Sequence, residues 1–220
     1  MRILFSRQIC AASAAMWACL SAAQGEIIDR IAVSVGSQVI TQDQIGEEIR
    51  VTAFLNHEKP DMSPVQKRRS AERLVEQTLI RREIDLSKYP LPPMSDAEQS
   101  LEKIQNQFGS DTAFDEALQK FGITEKDLLS HLWWQLTVLH FIDYRFRPGV
   151  QVKDADIEAF YSAEVEKWKQ QGVDPIPSLD DSRAKIEEIL EQQRIDQALD
   201  RWLGDTRTQV EIRYHAGAFE

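Results

Sequence analysis

The sequence predicts a mainly α-helical fold with a small antiparallel sheet, in which an N-terminal hairpin meets a C-terminal strand. Three observations lead there. Apolar residues recur at helical spacing through most of the span between residues 42 and 207. Two-residue alternation is confined to 27–40 and 209–214. Helix-capping residues and glycines mark where the apolar runs begin and end.

Each element follows in order. IIDRIAVSVGSQVI, residues 27–40, sets Ile31, Val33 and Val35 on one face and Arg30, Ala32 and Ser34 on the other. Gly36-Ser37 fits a two-residue type II′ turn, whose first position needs the positive φ that glycine supplies. Val39-Ile40 begin the second strand. Thr41-Gln42-Asp43-Gln44 reads as a capping box opening a helix to about His57. Ser63 followed by Pro64 is an N-cap with a first-turn proline. That helix runs to about Lys88, with Leu74, Val75, Thr78, Leu79 and Ile80 inward. Pro90-Leu91-Pro92-Pro93 is an extended spacer. Ser95-Asp96-Ala97-Glu98 reads as a second capping box, opening a helix through Leu101, Ile104 and Phe108 that Gly109 closes. Phe114, Leu118 and Phe121 mark a short helix ended by Gly122. Thr124 caps a long helix, about 125–146, halted by Pro148-Gly149. Asp154 opens the next, through Ile157, Phe160, Tyr161, Val165 and Trp168. Residues 169–178, with Gly172, Pro175 and Pro177, form a linker. The last helix runs from Leu179 to Arg207. Val210, Ile212 and Tyr214 then alternate as a strand. A lone hairpin is marginally stable in water, so this strand is expected to join it.

The chain has 220 residues, 26 basic against 36 acidic, and a net charge of −10. That balance argues against nucleic acid as the main partner, because phosphate binding needs a dominant basic field. Both cysteines, Cys10 and Cys19, lie in MRILFSRQICAASAAMWACLSAAQG. Arg2 and Arg7 give it a positive start, and Ile9–Leu20 is apolar apart from Ser13. Small residues follow, the layout of a secretory signal peptide at residues 1–25. A short anchor that stays attached, and a lipid anchor on Cys19 after the poor lipobox Met16-Trp17-Ala18, are the other readings of this stretch. Residues 26–220 would then form one domain, with no cysteine and with 24 basic against 36 acidic residues, a charge of −12. Such a chain has no disulfide and no thiol nucleophile. No later segment has the ~18 uninterrupted apolar residues of a membrane span, so stable insertion is not expected.

Catalytic and metal-binding motifs are not found. His57, His131, His140 and His215 show no metal-ligand spacing, and His131 and His140 lie about 180° apart on their helix. There is no GxSxG, no phosphate loop and no GxGxxG. No cofactor and no metal are expected. Asp180-Asp181 and Glu187-Glu188 sit beside Arg183, Lys185 and Arg194, as a salt-bridged solvated face would. Lys67, Arg68, Arg69, Arg73, Arg81 and Arg82 form the one basic cluster, either a balancing surface or a docking patch. The long helix 125–146 carries Leu128, Leu132, Leu136, Leu139 and Phe146 on one side and Trp134, Val138 and Phe141 on the other. A helix apolar on both faces is buried on both, or offers one to a partner.

Taken in order, IIDRIAVSVGSQVITQDQI, RLVEQTLIRREI, MSDAEQSLEKIQNQFGSDTAFDEALQKFGITEKDL and EILEQQRIDQALDRWLGDTRTQVEIRY resemble the N-terminal module of the SurA family of periplasmic chaperones. The resemblance spans essentially all of residues 26–220. It implies a helical domain of the peptide-binding type shared by trigger factor and SurA, completed by the C-terminal helix and strand at 179–214. It implies a periplasmic, ATP-independent chaperone that binds unfolded chains and outer-membrane protein segments. Family members often carry a parvulin prolyl-isomerase domain where this chain has only residues 169–178, and ~100 residues would be needed. Isomerase activity is therefore not expected; a divergent isomerase and an envelope adaptor for one partner are the alternatives. Trp133, Trp134, Val138 and Phe141, with Phe160, Tyr161 and Trp168 as a second set, are the expected peptide-binding residues.

Overall fold

The computed structural model describes residues 29–220. Both cysteines and the expected signal peptide, residues 1–25, lie outside the described residues. Strands β1 (Ile31–Val35) and β2 (Gln38–Thr41) form the hairpin. Of the two turn residues only Gly36 has positive φ, +58°, as a type II′ turn requires. β3 (Ile212–Tyr214) pairs antiparallel with the other edge of β1, setting Val33 opposite Tyr214 and Val35 opposite Ile212. The strand order is β2-β1-β3, so the two ends of the described chain meet in one sheet.

The alternation expected of β1 is corrected. Ala32, assigned to the outer face, is fully buried, while Ile31 is 42% exposed. A register irregularity between Ile31 and Val33 breaks the period. The segment after β3 then folds over the outer face: His215 N donates to Ala32 O at 2.9 Å, and Ala218 and Phe219 are buried.

Seven α-helices carry the rest of the described residues. α1 (Gln42–Leu55) opens on the expected capping box, with Thr41 and Gln44 satisfying each other's backbone N–H. α2 (Pro64–Ser87) starts from the Ser63 cap. α3 (Met94–Gln105) departs from expectation, because Ser95 is not its cap. Pro93 already holds the extended cap conformation, and Asp96 N donates to Pro93 O at 3.2 Å. The helix therefore begins before Ser95, whose hydroxyl turns to Asp96. Ser110 caps α4 (Asp111–Phe121), and Gly122 closes it at φ +67°. Thr124 and Asp127 form the capping box of α5 (Glu125–Arg145). α6 (Asp154–Gln171) and α7 (Leu179–Gln209) pack on each other. No described helix is long and apolar enough to cross a membrane.

Among the described residues there are two hydrophobic cores. The first joins the sheet to α1, α2, the second half of α5 and the end of α7, through Val33, Ile45, Ile49, Val75, Leu79, Phe141 and Leu203. The second lies between α1, α3, α4 and the first half of α5, through Phe54, Leu101, Phe114, Leu128 and Leu132. α1 and α5 are walls of both. This explains the two stripes of α5 and corrects one of them. Leu139 and Phe146 share a helix face with Leu128, but at 1.5 Å per residue they sit ~16 Å or more along the axis, beyond the second core. Phe146 packs on the first core, and Leu139 is 57% exposed.

Candidate peptide-binding groove

α2, α5 and α7 enclose a groove of about 460 Å³. Residues spaced four apart bring their side chains to one helix face, which puts Trp134 with Val138 on α5 and Leu199 with Leu203 on α7. Ile80 of α2 and the exposed Leu139 of α5 complete the apolar wall. Arg73, Glu76, Gln77 and Gln135 form the rim. Arg207 Nη2 reaches Glu76 Oε1 at 2.8 Å and ties α7 to α2 there.

Trp134 divides this groove from a second cavity of about 350 Å³, bounded by β2, α1, α2 and α5. Its ring carries the Arg81 guanidinium 4.3 Å from the centroid, and its Nε1 is buried with no hydrogen-bond partner among the described residues. The second cavity is polar, with Gln44, Glu47, Glu48, Asp127, Ser130 and His131 among its walls. Glu48 is the one buried acidic side chain among the described residues. Arg73 Nε lies 3.5 Å from its Oε1 and His131 Nδ1 lies 3.4 Å from its Oε2. Gln135 Nε2 sits 3.0 Å from the other ring nitrogen of His131. Burial alone would push the Glu48 carboxyl up; His131 and Arg73 outweigh it and hold the carboxyl below the usual glutamate range. Glu47, at the cavity mouth, is shifted the other way. Partial burial raises it, the Asp127 charge raises it further, and Arg50 offsets only part.

The groove takes two of the seven expected residues. Trp134 and Val138 line the groove. Phe141 does not: it is 1% exposed and packs in the first core against Tyr89, Phe146 and Trp202. Trp133 turns toward the second core, with Nε1 donating to Pro92 O at 3.1 Å. Phe160, Tyr161 and Trp168 lie on α6, away from the groove. There Tyr161 and Trp168 pack edge to face, and the Tyr161 hydroxyl donates to Pro177 O. The basic cluster of α2 is largely used within the fold. Arg68 stacks on Tyr214, Arg73 meets Glu48, Arg81 covers Trp134 and Lys67 donates to Glu220 O.

Sequence reasoning put Leu139 in one apolar stripe with Leu128 and found no metal-ligand spacing for His131. It gave Glu48 no role, although Glu48 falls between Ile45 and Ile49 on the apolar face of α1. A carboxylate at such a position is the signal that a buried partner exists. Comparison with known protein families finds no match, and comparison with curated proteins finds none either.

Proposed function

We propose that this protein is a periplasmic, ATP-independent chaperone-like protein that holds apolar segments of unfolded polypeptide, outer-membrane proteins among them, in the groove between α2, α5 and α7. The observation that carries this is the groove's wall. Leu139 is 57% exposed on a helix whose other aliphatic residues are buried or half-buried, and it stands beside Val138, Ile80 and Leu199. Apolar surface kept open at a concave site favours binding, since the same residue could otherwise be polar at no cost to the core. A shallow groove with a polar rim gives weak, sequence-tolerant contact, which suits a client that must later be released. The resemblance of the ordered segments to the SurA N-terminal module supports the same reading. The binding reading is also favoured over isomerase activity by the join between α6 and α7, residues 172–178, which leaves no room for a parvulin-sized domain.

The test is suppression of aggregation of an unfolded outer-membrane protein without nucleotide. Leu139→Ser and Val138→Ser should each weaken suppression severalfold while the melting temperature stays within a few degrees of wild type. Undiminished suppression by both variants, or none by wild type, overturns the proposal. A prolyl-peptide isomerisation assay at the uncatalysed rate is the expected companion result.

A further inference from the structure

Among the described residues, β2 has a free edge. It pairs with β1 on one side only, and Gln38, Val39 and Ile40 line the 350 Å³ cavity. In the hairpin register, Gln38 faces Val35 across the turn as a hydrogen-bonded pair, Val39 faces Ser34, and Ile40 faces Val33. Antiparallel pairs alternate between hydrogen-bonded and open, so the N–H and C=O of Val39 point away from β1. The next outward N–H, that of Thr41, is already taken by Gln44 Oε1 at 2.9 Å. The Val39 side chain is itself 48% exposed. This edge therefore offers one donor and one acceptor, the pair an extended peptide residue satisfies.

The cavity beside it carries unbalanced negative charge. Glu47 has no ion-pair partner among the described residues; partial burial and then the neighbouring Asp127 charge raise its pKa, and Arg50 offsets only part. Asp127 spends one carboxylate oxygen, Oδ2, on the Thr124 N–H. Arg81, the cation of this cavity, lies over Trp134, and Arg73 and His131 are turned to Glu48. Trp134 and Gln77 line both this cavity and the apolar groove, so the two sites adjoin.

We infer that the edge of β2 is a second subsite of the peptide site, where an extended client segment pairs its backbone with Val39 and places a lysine or arginine side chain against Glu47 and Asp127. This rests on the proposed binding of unfolded chains and specifies which chains are preferred: extended segments with a basic residue next to apolar ones. A single pair of backbone bonds and a solvent-accessible charge contact add selectivity without locking the client in place.

Fluorescence anisotropy tests it with three labelled peptides of one alternating apolar sequence. The first has a central lysine, the second has norleucine there, and the third is the lysine peptide with alternate amides N-methylated. For the wild type at low salt, the lysine peptide should bind about fivefold tighter than the norleucine peptide, the scale of a partly exposed ion pair. The N-methylated peptide should lose affinity. Glu47→Gln, and separately Asp127→Asn, which keeps a capping side chain, should shrink the lysine preference while leaving norleucine-peptide affinity unchanged. Equal binding of the lysine and norleucine peptides, or a preference that survives both variants, overturns the inference. The groove reading still stands in that case if Leu139→Ser weakens all three peptides. Failure of every peptide to bind wild type overturns both.

Discussion

At the residue scale, Glu48 carries the largest local consequence. It joins three helices, from α1 to Arg73 on α2 and His131 on α5. Its native carboxyl lies below the ordinary glutamate value of 4.5, so the unfolded chain takes up its proton first as pH falls. The stability it contributes is complete above that ordinary value and disappears as pH drops through the depressed native one. Urea titrations of wild type and Glu48→Ala should therefore differ by about 2 kcal/mol at neutral pH, the cost of leaving buried partners unsatisfied. The two curves should converge in acid. A gap that persists to the lowest pH at which the protein folds would assign Glu48 a packing role instead.

At the element scale, α5 shows what a sequence can and cannot display. Its limits, its Thr124 cap and its two apolar sides were all legible, because each follows from spacing along one chain. Which apolar residues stay exposed was not legible. Leu139 and Leu128 share a face, and only the finite length of the neighbouring helices separates their environments. The same reasoning applies to Ser95, which looked like a cap until Pro93 had already supplied the extended residue, and to Ala32, buried by the segment that follows β3, at the far end of the described chain. Groove and core also answer differently to substitution. Phe141→Ala should cost about 3–5 kcal/mol, as the loss of a fully buried ring does. Leu139→Ser should stay within about 0.5 kcal/mol of wild type, as changes at exposed positions do. Chemical denaturation of the two variants separates the stability role of α5 from its binding role.

At the scale of the whole molecule, the two cores and the α6–α7 pair differ in how firmly they are held. α1 and α5 serve both cores, whereas α6 has Ile157 as its one fully buried residue and rests mainly on α7. Hydrogen exchange should therefore proceed fastest in α6 and the first half of α7, and slowest in α5 and β1, since local opening is easiest where little apolar surface is buried. Uniform protection across all of these would mean that the molecule opens only as a unit. The mainly helical architecture with its closing sheet was readable before any coordinates, because periodicity and caps are local. The groove was not, since Ile80, Val138 and Leu199 come from three helices whose order along the chain says little about which faces meet.

The sheet has a further consequence in time. Its central strand, Ile31–Val35, is made long before one of its two partners, Ile212–Tyr214. Until that last strand leaves the ribosome, β1 has one free side and the first core lacks Leu203, Val210 and Phe219. The helices can form early, but the domain cannot lock. A chain built this way stays loose through most of its making, and its sheet closes only when β3 arrives.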